Sequence, residues 1–277
     1  MNNVHFSTKT SDDGVPAPAP CFSGGQAPGS RRVAIKVFFS SLFIQSSFNY
    51  HGMQNIGFAF SILPLAKRMG GKRDRIAALL TRHLQLFNTH PYLSGPIIGS
   101  VLHMEETCAV SGNDEEGAAV ANLKNALMGP YAALGDSFFW GAMKPLAAVF
   151  SVMLALQQTL LAPLAFLFLY NPSHIWIRSR GFVEGYRRGK EGIDFIRILD
   201  MPKLTGRMRW VSLAGLGCLA ALAGRLILPS SLVPHIDIIV KLLYLFLILL
   251  CSWGIKRGIS QVKMLYCMFI IGCLISL

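Results

Sequence analysis

Phe-Asn-Thr-His-Pro-Tyr-Leu-Ser-Gly-Pro at residues 87–96 and Leu-Met-Gly-Pro-Tyr-Ala-Ala-Leu-Gly-Asp-Ser-Phe-Phe-Trp-Gly at residues 127–141 decide how this chain is read. Each sets a few polar groups among glycines, prolines and aromatics inside an apolar chain. At membrane depth, polar side chains and broken helices are costly unless they line a site or a passage, so function is expected here. The Gly-Pro steps at 95–96 and 129–130 are expected to interrupt any helix that tries to run through them. Between residues 48 and 140 no apolar run reaches the usual spanning length, so this middle region needs a partner surface to cover it.

Composition gives the surroundings. The chain has 277 residues, 52% hydrophobic and 14% charged, with mean hydropathy +0.46, which is too apolar for a soluble domain of this size. The expected fold class is all-α: a multi-pass membrane protein with broken or re-entrant helices and an amphipathic N-terminal helix. The formal net charge is +12, but the basic residues stand in blocks between apolar stretches, not among aromatics on a polar domain, so nucleic acid is not the expected partner. One block runs from Lys67 to Arg82; a second, from Arg178 to Arg209, holds nine basic residues; a third is Lys256, Arg257 and Lys263. Such blocks mark cytoplasmic loops facing anionic headgroups. The six cysteines contain no C-x-x-C pair, so neither a disulfide framework nor a metal site is implied.

Residues 1–30 are rich in Pro, Gly, Ala and Ser and read as a disordered cytoplasmic tail. Arg31-Arg32 resembles a twin-arginine signal, but the stretch after it is broken by polar residues and lacks a small-x-small cleavage site, so an interfacial amphipathic helix over 34–48 is the better reading. Residues 73–86 place Ile76, Leu79, Leu80, His83 and Leu84 on one stripe with Arg75 and Arg82 off it, a helix that delivers Asn88 and His90 at its end. Asp114, Glu115 and Glu116 suit the positive N-terminal end of an Ala-rich helix. Residues 146–170 are apolar, but Gln157, Gln158 and Pro163 divide them into a hairpin that Asn171-Pro172 closes. Residues 211–228 and 238–255 are of spanning length, and 264–277 form a shorter apolar tail. An odd number of crossings from a cytoplasmic N-terminus places the C-terminus outside.

Several stretches carry a family resemblance: Phe48-Asn49-Tyr50, Met53-Gln54-Asn55-Ile56-Gly57-Phe58, Ser61-Ile62-Leu63-Pro64, Phe87-Asn88-Thr89-His90-Pro91, Leu127-Met128-Gly129-Pro130, Gly135-Asp136, Phe139-Trp140-Gly141, Gly185-Tyr186 and Gly189. In that order and spacing the chain resembles the IID membrane component of the mannose-class sugar phosphotransferase system. The resemblance implies a permease domain over 31–277: amphipathic and re-entrant segments at 31–145, an apolar hairpin and basic loop at 146–210, and C-terminal spans at 211–277. It also implies a bacterial inner-membrane subunit that pairs with a IIC subunit in a trimer of pairs. Soluble IIA and IIB units would carry the phosphoryl groups, so this chain would be a transporter subunit and not itself an enzyme. The cargo would be a hexose or amino sugar. Three departures are visible: Phe48-Asn49 where Trp-Asn is frequent, His51-Gly52 where an acidic and a basic residue are, and Gly135-Asp136-Ser137 for Gly-Asp-Pro. The turn at 228–235 is shorter than the family's polar insertion.

The residues agree with that division of labour. There is no G-x-x-x-x-G-K-[ST] loop and no H-E-x-x-H, and neither a cofactor nor a metal nor a catalytic residue is expected. A hexose offers hydroxyl edges and apolar C–H faces, so its binder wants amide or carboxylate groups and an aromatic plane. Asn88, His90, Asp136 and Trp140 supply that set, and Asn49 and Gln54 extend it. Plainer roles stand beside these. Asn88 also suits a cap before Pro91, His90 a packed core histidine, Asp136 a turn after Gly135, and Trp140 an interfacial belt. Glu105 reads either as a pair to a partner's cation or as a solvated loop charge. Two other classes stay open: a gradient-driven secondary transporter and a non-catalytic assembly or regulatory subunit.

Overall fold

Apolar residues recurring at helical spacing, punctuated by glycine and proline, fold as successive helices through the described residues. The structure is a computed structural model describing residues 29–68, 73–112, 114–157, 159–227 and 234–276. In order come α1 (Arg31–Ser41), α2 (Asn55–Arg68), α3 (Arg73–His83), α4 (Ser94–Ser111) and α5 (Asp114–Gly135). A π-helical stretch, Asp136–Met143, leads into α6 (Lys144–Ala155), followed by α7 (Ala162–Arg188), a 3-10 turn (Gly189–Ile193), α8 (Asp194–Ile198), α9 (Met201–Ile227), α10 (Pro234–Lys256) and α11 (Gln261–Ser276). The fold is all-helical, with no strand among the described residues. The expected disordered tail, apart from its last two residues, lies outside them, as do Gln158 and most of the short turn at 228–235.

The chain divides into two units, 1–215 and 216–277. In the first, α4 and α7 form the most extensive helix pair. Small residues allow it: a Cβ on Gly95 would stand 2.4 Å from the Arg178 carbonyl oxygen, and one on Gly99 2.2 Å from that of Phe182. From the other side, a Cβ on Gly181 would meet Pro96 at 2.5 Å and one on Gly185 the Pro96 oxygen at 2.4 Å. Each helix thus carries a glycine pair four residues apart, and the two backbones meet directly, the packing mode of small-xxx-small helices. Ile97, Ile98, Val101 and Leu102 of α4 fill the core beside this seam with Phe58, Ile62, Phe87 and Phe138.

Several expectations change. Neither Gly-Pro step interrupts a helix. Pro96 falls in the first turn of α4, where its missing N–H has no intrahelical partner to lose. Pro130 lies inside α5, which continues past it to Gly135 and passes into a π-helical stretch at 136–143. The run Glu115–Ala155 is therefore continuous, and among the described residues it is the one helix long and apolar enough to cross a membrane. Asn171-Pro172 does not close a hairpin, because α7 runs through Pro172 to Arg188 while packing on α6 and α4. The division itself falls where Gln157 and Pro163 were expected to make it, between Ala155 and Ala162, and α6 and α7 pack on each other across it. The N-terminal helix ends at Ser41, not at 48, and turns follow. The basic stretch from Arg178 is not a loop but helix, with Arg178 and Glu184 buried and Arg178 Nη2 donating to the Ser41 carbonyl. Cys108 is disulfide-bonded, which the cysteine spacing did not indicate.

In the second unit, Gly258 (φ +84°) ends the turn after α10, and Ile259 N–H returns to the Gly254 carbonyl. Leu242, Phe246, Ile248 and Leu249 of α10 and Leu265 and Phe269 of α11 are exposed. Apolar surface of that extent calls for an apolar surrounding.

Candidate functional site

The site begins with the irregular segment between α3 and α4. Without a regular helix, its backbone groups need other partners, and side chains from three directions supply them. Gln54 Nε2 donates to the Thr89 carbonyl at 2.7 Å while its Oε1 accepts from the Thr89 N–H at 3.1 Å. Asn55 Nδ2 donates to the Leu84 carbonyl at 2.7 Å, and Lys124 Nζ reaches the carbonyls of His83 and Gln85 at 3.3 and 3.4 Å. Backbone bonds from Gln54 N–H to the Phe87 carbonyl (2.8 Å) and between Asn49 and Met53 complete the knot. Met53 is held there at φ +57°.

Beneath this segment lies a buried charge cluster. Arg82 Nη1 contacts both oxygens of Glu105 at 2.7 and 2.9 Å, and His83 Nε2 lies 3.0 Å from Oε1. Lys124, 1% exposed, sits over the Phe58 ring. Glu105 is neither a solvated loop charge nor free for a partner, and Arg82 is not on a solvated face, because both side chains are buried where they meet. Burial raises the Glu105 pKa, but the hydrogen bonds from His83 and Arg82 outweigh it and hold the carboxyl below its ordinary range. Burial lowers that of His83. Both residues lie outside the long apolar run. A neutral His83 donating from Nε2 fits its Nδ1, which is buried with no hydrogen-bond partner.

Above the cluster, His90 joins the two stretches singled out in the sequence. A Cβ on Gly135 would stand 2.2 Å from His90 Cβ, so only glycine permits this approach. The imidazole stacks on Phe139 (centroids 5.0 Å, 15°) and meets the Trp140 ring edge-on at 4.8 Å. Tyr92 packs edgewise on Phe139 and stacks on His174 at 4.1 Å. His90 Nδ1 accepts from the Tyr92 N–H at 3.3 Å, and Nε2 is buried with no hydrogen-bond partner. Burial, and secondarily His174, pushes the His90 pKa down to about 4, so the ring is neutral at physiological pH with its proton on Nε2.

The candidate residues thus separate. His90 and Trp140 are in contact, with Trp140 half-exposed at 49%. Asn88 and Asp136 are exposed on the same two segments, one two residues before His90 and the other directly after Gly135. Gln54 has its amide engaged by Thr89, and Asn49 has its own in the 49–55 turn, with Oδ1 accepting from Gly52 N–H at 2.8 Å and Nδ2 donating to Asn55 at 3.0 Å. The pile of Phe139, Tyr92 and His174 was not among the candidates; the aromatic spelling of both stretches was its only signal. Among the described residues no group of three His, Cys, Asp or Glu side chains is placed to hold a metal.

An all-helical membrane subunit with a polar point set in broken backbone is the class these features define. Residues 30–277 match the PTS system mannose/fructose/sorbose family IID component, and the chain belongs to that family as a membrane subunit of a sugar transporter. It is 30% identical to the fructose permease IID component of Bacillus subtilis over 261 residues, 88% of this chain and 94% of that one. It is 34% identical to the mannose-specific EIID component of Escherichia coli K12 over 190 residues, 68% of this chain and 66% of that one. A solved structure of the mannose transporter ManYZ with microcin E492 superposes with TM-score 0.56 at 28% identity, covering 90% of this chain and 97% of that one. Another, described as a membrane protein, gives TM-score 0.67 at 27% identity, covering 88% and 96%.

Proposed function

We propose that this chain pairs with a IIC subunit in the bacterial inner membrane, in a trimer of such pairs, and translocates a hexose or amino sugar that a IIB partner phosphorylates on release. The phosphoryl chemistry resides in the IIA and IIB units, and this chain contributes binding and passage. The helices from α5 onward cross the bilayer more than once, with the N-terminus in the cytoplasm.

One observation carries the reading: His90 presents a buried, unpartnered N–H beside a half-exposed tryptophan. A ring with hydroxyl edges and C–H faces is the ligand that satisfies both. Asn88 and Asp136, exposed on the same segments, add an amide and a carboxylate for further hydroxyls. Gln54 serves the site by holding the 87–90 backbone in place, and Asn49 by fixing the 49–55 turn that carries Gln54.

Vesicles containing the neighbouring IIC and IIAB subunits test this directly. Sugar phosphate is expected only when this chain and phosphoenolpyruvate are both present. Asn88→Ala and Asp136→Ala are expected to lower uptake while leaving assembly intact, and wild-type uptake in both would remove them from the site. Accumulation of unmodified sugar without phosphoenolpyruvate would identify a gradient-driven carrier instead.

A further inference from the structure

The groove between α1 and α7 has no part in the sugar site, yet it has the two ends of a lipid. We infer that it holds one anionic glycerophospholipid, with the phosphate between Arg31 and Arg187 and an acyl chain along the aromatic trough. The groove encloses about 360 Å³ and is walled by Ile35, Phe38, Phe39, Phe182 and Val183.

The helices run antiparallel here: Phe38 packs 5.3 Å from Phe182, and farther along α1 the Ser41 carbonyl accepts from Arg178, which precedes Phe182 on α7. Arg31, two turns before Phe38, and Arg187, beyond Phe182, therefore fall at the same end of the trough. Both are exposed, and among the described residues neither pairs with a carboxylate. The neighbouring cations are already engaged, since Arg180 and Arg188 share Glu184 at 2.8 and 3.3 Å. The nearby Glu106 is occupied by Arg68 at 3.7 Å and by the Tyr186 hydroxyl at 3.0 Å. A phosphate there would meet two guanidiniums, the side chain best suited to bind it through paired hydrogen bonds.

The apolar wall continues onto exposed side chains outside the groove, Leu42 and Phe43 beyond α1 and Ile175 and Trp176 on α7. The trough is about 12 Å long from Arg31 to Phe39. It opens along an apolar surface, as an acyl chain entering from a bilayer requires, whereas a soluble anion would leave that wall unused. Basic pockets between helices are where anionic headgroups are held in membrane proteins.

The test uses the full-length chain with its membrane partner, purified in detergent and reconstituted with equimolar phosphatidylglycerol and phosphatidylcholine, with retained lipid read by native mass spectrometry. Phosphatidylglycerol is expected to be retained at least about tenfold over phosphatidylcholine, the two arginines supplying the difference. In R31Q/R187Q the preference is expected to vanish while the pair stays assembled. V183W, which fills the trough, is expected to lose the lipid with both arginines present. A photocrosslinker at position 183 should yield a lipid adduct. Equal retention of both lipids by the wild type would overturn the inference. So would a crosslink to the partner subunit or to residues 1–28 of this chain.

Discussion

His90 concentrates the chemistry of the site in one ring. With Nδ1 accepting from Tyr92 and the ring neutral, Nε2–H is a directional donor to an uncharged hydroxyl, not a cation seeking an anion. Replacing His90 by Phe retains an aromatic stack on Phe139 and deletes the Nε2–H donor, together with the long bond that Nδ1 accepts from the Tyr92 N–H. One neutral hydrogen bond is worth about 1 kcal/mol, so the half-saturating sugar concentration is expected to rise about five- to tenfold in vesicle uptake. An unchanged value would make His90 a packing residue. At this scale the sequence supplied the right residue types, but not which way they face. Gln54 has the amide a sugar site wants, yet it serves Thr89, 35 residues away. That pairing follows from Gly52 and Phe87 meeting through their backbones, a contact between distant segments that local pattern does not report.

Among the elements, the glycine seam sets the tolerance of the fold. Gly99→Val would drive a branched side chain into the Phe182 carbonyl, where backbone and not a flexible side chain must move. The expected cost is at the upper end of overpacking, about 3 kcal/mol or more, read as loss of the folded protein after detergent extraction. Normal yield and melting temperature would show that the seam opens more easily than its backbone contacts imply. The Arg82–Glu105 pair behaves differently. Arg82→Met leaves the buried Glu105 carboxylate with its His83 hydrogen bond but without its guanidinium and is expected to destabilise by about 3–5 kcal/mol, whereas Arg82→Met with Glu105→Leu should recover much of it. A double variant no better than the single would show that the pair's surroundings, not the charge balance, carry the loss. Helix existence was readable from apolar spacing. The fate of each proline was not, because a proline marks where a helix is weakened, while the neighbours decide whether it ends. Pro172 and Pro130 both stand within helices that continue on either side of them.

For the whole molecule, composition gave the class and the blocks of charge suggested loops, but Arg82, Arg178 and Glu184 turned out to be interior partners. Formal charge counts say nothing of which ions find each other across helices. That interior gives the protein an acid limit. His83 is held below its ordinary 6.5 by burial, so its contribution to stability is full above pH 6.5 and is lost as the pH falls. Glu105 is held below its ordinary 4.5, so its contribution is present above pH 4.5 and disappears as the pH drops through its lower folded value. Both slopes have the same sign. The melting temperature is expected to be level near pH 7 to about 8 and to fall in two stages on acidification. A rise on mild acidification would mean that His83 is charged in the folded state.

The α4–α7 seam has a mechanical meaning as well. Where two backbones touch without an intervening layer of side chains, there is nothing compliant between them, and a push on one axis reaches the other undiminished. Both members end in glycines at positive φ, Gly112 at +67° and Gly189 at +59°. The pair is thus a rigid strut, and the segment bearing His90, which leads directly into α4, rides on it.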